Sequence, residues 1–134
     1  ARRSAAVVGV EGDASLVARA RRNAERNGIA NVELFTADLF EALDAASAPW
    51  LGYRYDKALI DPPRTGASQV LARLPALGIH RIVYVSCYPS TLARDAGHLV
   101  NELGYVLRSV GVMDMFPHTS HVESIACFER PGCV

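Results

Sequence analysis

Residues Ile82 to Asp95 read I-V-Y-V-S-C-Y-P-S-T-L-A-R-D, and this stretch decides the fold class of the chain. Its first half is an apolar, β-branched run of the kind that forms a buried strand, and Pro89 with Thr91 signals the start of a helix. Cys87 therefore lies where a strand ends and a helix begins. A thiol at such a corner is either a buried, inert side chain or a nucleophile, because the free N–H groups of a helix start favour the thiolate.

The same alternation of strand and helix signals runs along most of the chain. The predicted strands are Ala5–Glu11, Asn31–Thr36, Tyr55–Ile60 and Arg81–Ser86, and the predicted helices are Ser15–Asn27, Asp38–Ala46, Ala67–Leu74 and Thr91–Leu103. Two further strands, Tyr105–Met113 and Val122–Phe128, have no helix between them, which is typical of an antiparallel pair. Strands that alternate with helices predict an α/β fold with a doubly wound, Rossmann-like sheet, here in one domain over residues 1–134.

Composition and charge exclude some classes of protein and leave others open. The chain has 134 residues, half of them hydrophobic, which is enough for one domain with a core. Basic and acidic residues number 14 each, so net charge neither favours nor excludes an RNA partner. No apolar run reaches membrane-spanning length and no signal-peptide pattern is present, so we expect a soluble, intracellular protein.

Three cysteines without C-x-x-C spacing favour reduced thiols over a disulfide framework or a zinc site. Cys127 lies within an apolar strand pattern and is expected to be buried and inert, and Cys133 is expected to be a tail residue. His118 and His121 flank a Thr-Ser pair, but no third ligand follows at a suitable spacing. We therefore predict no metal site.

Polar side chains follow the predicted strands at the points where they end. Doubly wound sheets bind their ligands beyond the carboxyl ends of the strands. Glu11, Asp38, Asp61 and Cys87 each lie at or just past such an end, and we expect them to line one crevice. A carboxylate in the position of Glu11 can accept the hydroxyls of a ribose, and Asp38 can accept the amino group of an adenine.

Each of these acids also has an ordinary structural role. Glu11 can be an exposed acid before a turn, Asp38 can cap the helix that follows it, and the D-P-P-R segment at Asp61 can be a simple turn. Glu123 begins the last predicted strand, where it can be a half-exposed acid on an edge. Local sequence leaves both interpretations open for all four residues.

Four segments taken together carry a resemblance to a known family. They are V-V-G-V-E-G-D, L-I-D-P-P-R, I-V-Y-V-S-C-Y-P-S-T-L-A-R-D and D-M-F-P-H-T-S-H-V-E-S. In this order they resemble the catalytic domain of the RNA uracil-5-methyltransferases, and within that family they most resemble the bacterial 23S rRNA branch. The resemblance covers nearly the whole chain. It implies a cytoplasmic enzyme that transfers a methyl group from S-adenosylmethionine to carbon 5 of a uridine in single-stranded or flipped-out RNA.

The resemblance also implies a role for each candidate residue. Cys87 matches the nucleophile that adds to C6 of the uracil, and Glu123 matches the general base that removes the proton from C5. Glu11, Asp38 and Asp61 match the residues that contact the cofactor. The reaction requires such a pair, since C5 of uracil becomes nucleophilic only after a thiolate has added to C6.

The chain departs from the family pattern in two ways. Tyr88 follows the cysteine, where the family usually has asparagine. The resemblance also implies a first central strand with a glycine-rich turn, an RNA-binding barrel and, in this branch, often the cysteines of an iron–sulfur cluster, and no residues before Val7 match them. We therefore expect the chain to be the C-terminal part of one catalytic domain. Alone it should bind cofactor weakly, methylate little RNA and self-associate through exposed strand edges.

Two other functions are considered. An amino-methyltransferase of the D-P-P-Y type has an aromatic residue after the prolines, but Arg64 stands in that place and this function gives the thiol no task. A non-catalytic cofactor-fold or RNA-binding module is the second alternative. Its support is a row of arginines at helical spacing, Arg19, Arg22 and Arg26. Such arginines can contact phosphate, although a solvated helix face accounts for them better.

Overall fold

The computed structural model describes residues 1–39, 48–119 and 121–132. Contacts between residues divide the chain into two compact units, Ala1–Trp50 and Leu51–Val134. Most of the predicted helix Asp38–Ala46 lies outside the described residues, and so does Cys133. The strands form two separate sheets, one in each unit.

The first unit is a β-α-β element. Strands β1 (Val7–Glu11) and β2 (Val32–Thr36) pair in parallel along their whole length, and α1 (Ala14–Arg26) connects them. Glu11 lies opposite Thr36, so both strands end at the same level. The predicted first strand, helix and second strand are thus confirmed, with small shifts at their ends.

The ends of α1 follow from local chemistry. The Asp13 side chain caps its first turn by accepting the backbone N–H groups of Ser15 at 2.7 Å and Leu16 at 3.3 Å. The hydrogen bonds from Ser15 are the main reason that the pKa of Asp13 lies below its usual value. Beyond the last turn, Gly28 adopts a φ of 63°, a left-handed conformation that glycine reaches without steric cost.

The second unit contains a four-stranded sheet. In chain order the described elements are β3 (Lys57–Ile60), α2 (Ser68–Leu71), β4 (Arg81–Ser86), α3 (Pro89–Asn101), β5 (Val106–Met113) and β6 (Glu123–Glu129). The strand order in the sheet is β3-β4-β6-β5. β3 is parallel to β4, and β6 runs antiparallel to both of its neighbours. The predicted antiparallel pair is confirmed, with β6 inserted between β4 and β5.

Two predicted helices have different bounds in the structure. α3 begins at Pro89 rather than Thr91. Proline suits the first helical position, because the N–H group at that position makes no hydrogen bond within the helix and proline has none. α2 is shorter than the predicted Ala67–Leu74, and turns follow it. The predicted loop near Ala48 contains a short 3-10 helix, Pro49–Gly52. No helix in the described part of the chain is both long and apolar enough to cross a bilayer.

The core of the second unit lies on one face of its sheet. The buried residues on this face are Ile82, Tyr84 and Ser86 on β4 and their partners Phe128, Ala126 and Ser124 on β6. α3 covers this face, and the Tyr84 hydroxyl donates a hydrogen bond of 2.6 Å to Asp95 of α3. A fully buried side chain such as Ile82 or Phe128 contributes roughly 1.5–3 kcal/mol to stability.

The opposite face of the same sheet is only partly covered within the unit. Val83, Val85, Ile125 and Cys127 alternate with the core residues and are half-buried. Leu59 of β3 is 74% exposed. The two faces of this sheet therefore differ sharply in burial.

Residues 61–67, Asp61 to Ala67, connect β3 to α2 and are called the D-P-P-R loop. The Gly66 N–H donates to the Pro63 carbonyl at 2.9 Å, which closes a turn inside the loop. At its end, the Ala67 N–H donates to Asp95 Oδ2 at 2.8 Å. The loop is thus fixed both by its own prolines and by a carboxylate of α3.

Gly66 occupies the narrowest part of this arrangement. Its φ is 90°, and a Cβ added there would lie 2.6 Å from Asp95 Oδ2 and would also overlap the Arg94 guanidinium. Since glycine alone has no Cβ, the loop can approach α3 this closely only with glycine at this position.

Gly66→Ala is expected to lower the free energy of unfolding by about 2–4 kcal/mol, because it adds left-handed strain to a clash with a buried carboxylate. Gly78→Ala is the matched control in the same unit. Gly78 has a φ of 84°, but its nearest neighbour is the Arg54 side chain at 3.2 Å, which can move. This control substitution should lower the free energy of unfolding by about 1–2 kcal/mol. Urea denaturation followed by circular dichroism measures both, and equal losses would contradict the close approach.

Candidate active site

Cys87 lies at the corner between β4 and α3. Ser86 is the last residue of β4, and its hydroxyl accepts the Tyr88 N–H at 3.0 Å and donates to the Tyr88 carbonyl at 3.1 Å. Cys87 is therefore the middle residue of a turn that the Ser86 side chain closes. Its side chain is half-buried rather than sealed in the core. The corner predicted from the sequence is present at this residue.

The helix start beside the thiol is well formed. The Tyr88 carbonyl accepts hydrogen bonds from the Thr91 N–H at 3.1 Å, the Thr91 hydroxyl at 3.0 Å and the Leu92 N–H at 3.3 Å. Pro89 occupies the first helical position. These contacts fix the direction in which the chain leaves Cys87.

Glu123 is the first residue of β6 and is half-buried. The last paired residues of β4 and β6 are Ser86 and Ser124. Cys87 follows Ser86 in the chain, and Glu123 precedes Ser124. The structure thus brings the predicted nucleophile and the predicted base to the same end of one antiparallel ladder.

Asp61 belongs to the same end of this sheet. It follows Ile60, which pairs with Tyr84 in the parallel β3–β4 ladder. Its side chain is exposed at the start of the D-P-P-R loop. Because β3 and β4 run in the same direction, Asp61 and Cys87 both lie at the carboxyl ends of their strands.

Strand alternation also gives these three side chains a common face. Tyr84 points to α3, so its neighbours on β4 point to the opposite face. Within β6 the same alternation turns Glu123 to that opposite face. Cys87 and Asp61 follow Ser86 and Ile60 directly, and we expect them to turn to the same face if the alternation continues for one residue past each strand.

The remaining predicted residues lie in the first unit. Glu11 is exposed at the end of β1, and its Oε1 accepts the Asp13 N–H at 3.0 Å. Asp38 is exposed two residues beyond the end of β2. Both lie at the carboxyl end of their parallel pair, as predicted. The expectation that they share one crevice with Asp61 and Cys87 stays a prediction.

The histidines and the second cysteine have no assigned chemistry. Within the described ranges, no three or more histidine, cysteine, aspartate or glutamate residues are grouped so that they could hold a metal ion. His118 is exposed and has a φ of 64°. Cys127 is a half-buried free thiol on β6, less buried than its apolar sequence context predicted.

Sequence reasoning missed Asp95. Its side chain is only 1% exposed, and it links α3 to β4 and to the D-P-P-R loop. A signal was present in the sequence, because Leu92, Asp95 and Leu99 are spaced to share one helical face. An acid on the apolar stripe of a helix indicates a buried, hydrogen-bonded carboxylate.

Comparison with known proteins gives consistent matches. The family model described as tRNA (uracil-5-)-methyltransferase matches residues 1–130. The 23S rRNA (uracil(1939)-C(5))-methyltransferase RlmD of Stenotrophomonas maltophilia strain K279a is 63% identical over 130 residues, which are 97% of this chain and 29% of that protein. The protein of the same name from Xanthomonas axonopodis pv. citri strain 306 is 63% identical over 92% of this chain and 28% of its own length. The chain therefore spans less than a third of the relatives it matches.

Solved structures show a similar fold at low sequence identity. NSun6 from Pyrococcus horikoshii with SFG has a TM-score of 0.65 at 17% identity, over 93% of this chain and 41% of that one. TYW2 from M. jannaschii in complex with AdoMet has a TM-score of 0.62 at 16% identity, over 94% and 58%. An rRNA methylase from Streptococcus thermophilus has a TM-score of 0.61 at 6% identity, over 95% and 88%. The α/β class predicted from the strand–helix alternation is confirmed as a methyltransferase fold, and the chain belongs to the tRNA (uracil-5-)-methyltransferase family.

Proposed function

We propose that this chain is the C-terminal part of a catalytic domain that methylates carbon 5 of a uridine in 23S rRNA, with S-adenosylmethionine as the methyl donor. Family membership and the relatives at 63% identity support the reaction class. The observation that carries the proposal is the placement of Cys87 and Glu123 at one end of the β4–β6 ladder.

The ladder register supports a direct meeting of the two side chains. Each β4–β6 pair advances one residue along β4 and recedes one residue along β6, ending with Ser86 opposite Ser124. One further step places Cys87 opposite Glu123. Residues directly opposite in antiparallel strands have Cα atoms about 4.5–5.5 Å apart and side chains on the same face. A pyrimidine ring above that face can therefore meet both groups.

Cys87 is the proposed nucleophile. Its thiolate adds to C6 of the uracil, which moves electron density onto C5 and the O4 carbonyl and makes C5 nucleophilic. The turn closed by the Ser86 hydroxyl fixes the backbone at Cys87 relative to β4. A fixed backbone favours addition, because it restricts the positions that the sulfur can take when the base binds.

Glu123 is the proposed general base. After C5 has gained its methyl group, the Glu123 carboxylate removes the C5 proton, and the electrons of that bond reform the C5–C6 double bond as the C6–S bond breaks. Cys87 leaves as a thiolate, ready for another cycle. Glu123 is half-buried at the first position of β6, so it is not sealed in the core.

The acids at the strand ends suit S-adenosylmethionine. When bound, this cofactor supplies an electrophilic methyl group to C5. Its ribose hydroxyls and adenine amino group are hydrogen-bond donors, and the exposed carboxylates Glu11, Asp38 and Asp61 are acceptors. Glu11 is held by the Asp13 N–H at 3.0 Å, and Asp61 by the stiff prolines that follow it. We propose that these three residues bind the cofactor.

The substrate must present an unstacked base. C6 of a uridine within a helix is shielded by its neighbours, so the target uridine is single-stranded or flipped out. Tyr88 is 46% exposed next to Cys87 and can stack on a base. A ribosomal RNA substrate also implies that the enzyme acts in the cytoplasm.

This function differs from that of an amino-methyltransferase of the D-P-P-Y type in two ways. Arg64 follows the two prolines where that type has an aromatic residue, and the proposed reaction gives both Cys87 and Glu123 a role.

The first prediction tests whether the two side chains meet. In a chain whose other cysteines are serines, Glu123→Cys should form a disulfide with Cys87 on mild oxidation, because a Cα separation of about 4.4–6.8 Å permits the bond. Ile125→Cys is the control, since Ile125 lies opposite Val85 and its diagonal separation from Cys87 is about 7–8 Å. Mass spectrometry of non-reduced peptides measures the cross-link. Equal cross-linking by the two variants, or none by Glu123→Cys, would contradict the extended register.

The second prediction tests the covalent step in the full-length enzyme that carries this chain. With S-adenosylmethionine present, RNA with 5-fluorouridine at the target should form a denaturation-resistant adduct with the protein, because after methyl transfer the fluorine cannot leave C5 as a proton does. Cys87→Ala should abolish the adduct, and Cys127→Ala should keep it. An adduct that survives Cys87→Ala would remove Cys87 from the nucleophile role.

Glu123→Gln extends the same test to natural RNA. Loss of the base should lower the turnover rate by about 10²–10⁴-fold and let the methylated adduct accumulate. Glu129→Gln is the control, since Glu129 lies on the same strand at its opposite end and pairs with Arg81. Rapid turnover by Glu123→Gln would assign the base role to another group.

The third prediction concerns the 134 residues alone. Among the described residues β1 pairs only with β2, and β3 only with β4, so each has an unpaired edge. We expect the isolated chain to bind S-adenosylmethionine at least about tenfold more weakly than the full-length enzyme, to methylate little RNA and to self-associate. Calorimetry, methyl-transfer assays and sedimentation measure these properties. Full activity from a monomeric 134-residue chain would refute the proposal that it is one part of a domain.

A further inference from the structure

Asp95 is a buried carboxylate that the proposed chemistry does not use. Its Oδ2 accepts hydrogen bonds from the Tyr84 hydroxyl at 2.6 Å and from the Ala67 N–H at 2.8 Å. Its Oδ1 accepts two from the Arg94 guanidinium, at 2.9 Å from Nε and 2.7 Å from Nη2. A single side chain of α3 thus gathers donors from β4, from the D-P-P-R loop and from its own helix. Both of its oxygens are satisfied, as a buried charge requires.

The Tyr84 partner has a fixed protonation state. Burial raises the pKa of Tyr84 well above its ordinary value, and the hydrogen bond to Asp95 raises it further. The phenol therefore stays protonated and donates to the carboxylate. This contact anchors Asp95 to the core strand β4, so the carboxylate that binds the D-P-P-R loop has a fixed position.

Arg94 extends the support to a second point on the loop. Its side chain is 54% exposed, yet its Nη2 also donates to the Thr65 carbonyl at 2.9 Å. The loop is held at Thr65 through Arg94 and at Ala67 directly. Between these points Gly66 has no room for a side chain. The loop end that faces α3 is therefore pinned over three consecutive residues.

The rest of the D-P-P-R loop transmits this restraint. The Gly66 N–H bonds to the Pro63 carbonyl at 2.9 Å, and Pro62 and Pro63 have restricted φ angles. Few backbone torsions remain free between the pinned end and Asp61. The backbone of Asp61 is thus restrained on both sides, by the β3–β4 ladder before it and by the pinned loop after it.

We propose that Asp95 is a positioning residue for cofactor binding: it holds the D-P-P-R loop against α3 and thereby fixes Asp61, which contacts S-adenosylmethionine. This proposal rests on the proposed function for the role of Asp61. Asp95 itself touches neither cofactor nor RNA, since it lies on the α3 side of the sheet. Its charge matters because four donors converge on it.

Asparagine is the most informative replacement. Asp95→Asn keeps the shape of the side chain, but its amide nitrogen donates and cannot accept. Either the Ala67 N–H and Tyr84 hydroxyl or the Arg94 guanidinium then loses its acceptor. Tyr105→Phe is the matched control. It removes another buried hydrogen bond, from the Tyr105 hydroxyl to the Ile79 carbonyl at 2.6 Å, without touching the loop.

Amide hydrogen exchange of the chain tests the restraint without any cofactor. In Asp95→Asn, exchange of the amides at Gly66 and Ala67 should quicken by about tenfold or more relative to those in β4 and β6, because one of the two links that pin this loop, through Ala67 or through Arg94, loses its charged acceptor. Tyr105→Phe should leave the loop unchanged relative to the strands. The proposal would be overturned if Asp95→Asn left the exchange rates of the loop amides unchanged, or if it raised them no more than those of the strand amides.

Kinetics of the full-length enzyme test the consequence for the cofactor. Asp95→Asn should raise the KM for S-adenosylmethionine by about tenfold and leave kcat within about twofold, whereas a loss of stability alone would leave KM unchanged. In an Asp61→Ala background the same substitution should add no further increase. If the increases in KM caused by the two substitutions multiply in the double variant, the link through Asp61 is overturned. A wild-type enzyme that does not use S-adenosylmethionine would contradict the proposed function instead, and hydrogen exchange would still decide whether Asp95 holds the loop.

Discussion

The antiparallel pairing of β6 with β4 is the constraint on which the candidate site depends. Its register is fixed by burial, because alternate residues of both strands pack under α3. A slip of β6 by one residue would turn Phe128 and Ala126 out of the core and replace them with their half-buried neighbours. The same rule then fixes the ends of the strands. Cys87 and Glu123 come to one end of the ladder because hydrophobic packing elsewhere leaves the register no alternative.

Local signals in the sequence were sufficient for the elements next to the site. β4 was predicted with the bounds it has, because an apolar run between a basic residue and a strand-to-helix corner has no competing interpretation. The sequence predicts the start of α3 at Thr91 and the structure has it at Pro89, because a proline can mark the end of the preceding loop or be the first helical residue itself. The carboxyl-end rule predicts that Asp61 and Cys87 follow the ends of two strands, and the structure places them directly after β3 and β4; their role in a site stays a prediction.

Non-local facts could not be predicted in the same way. Two adjacent strand patterns indicate an antiparallel pair, but they do not say that β6 would insert between β4 and β5, and that insertion is what brings Glu123 to the same end of the β4–β6 ladder as Cys87. Asp95 was missed for a related reason. An Arg-Asp dipeptide in a helix reads as an exposed, charged pair, and only its place beside Leu92 and Leu99 on the helix signals burial. The donors that satisfy its charge come from Tyr84 and Ala67, which are remote in sequence.

The sheet of the second unit separates structural from chemical polar groups. On the α3 side, Tyr84 and Asp95 are buried and fully engaged, so their hydrogen bonds stabilise the fold and leave no group available for substrate. On the other side, Cys87 and Glu123 stand at the end of a face whose apolar residues, Val85 and Ile125, are only half-buried. An apolar floor beneath a thiol and a carboxylate suits the face of a flat pyrimidine ring, because the polar groups of the ring lie at its edge and only its face covers the apolar residues. The proposed uracil site therefore follows from the same alternation of side chains that builds the core.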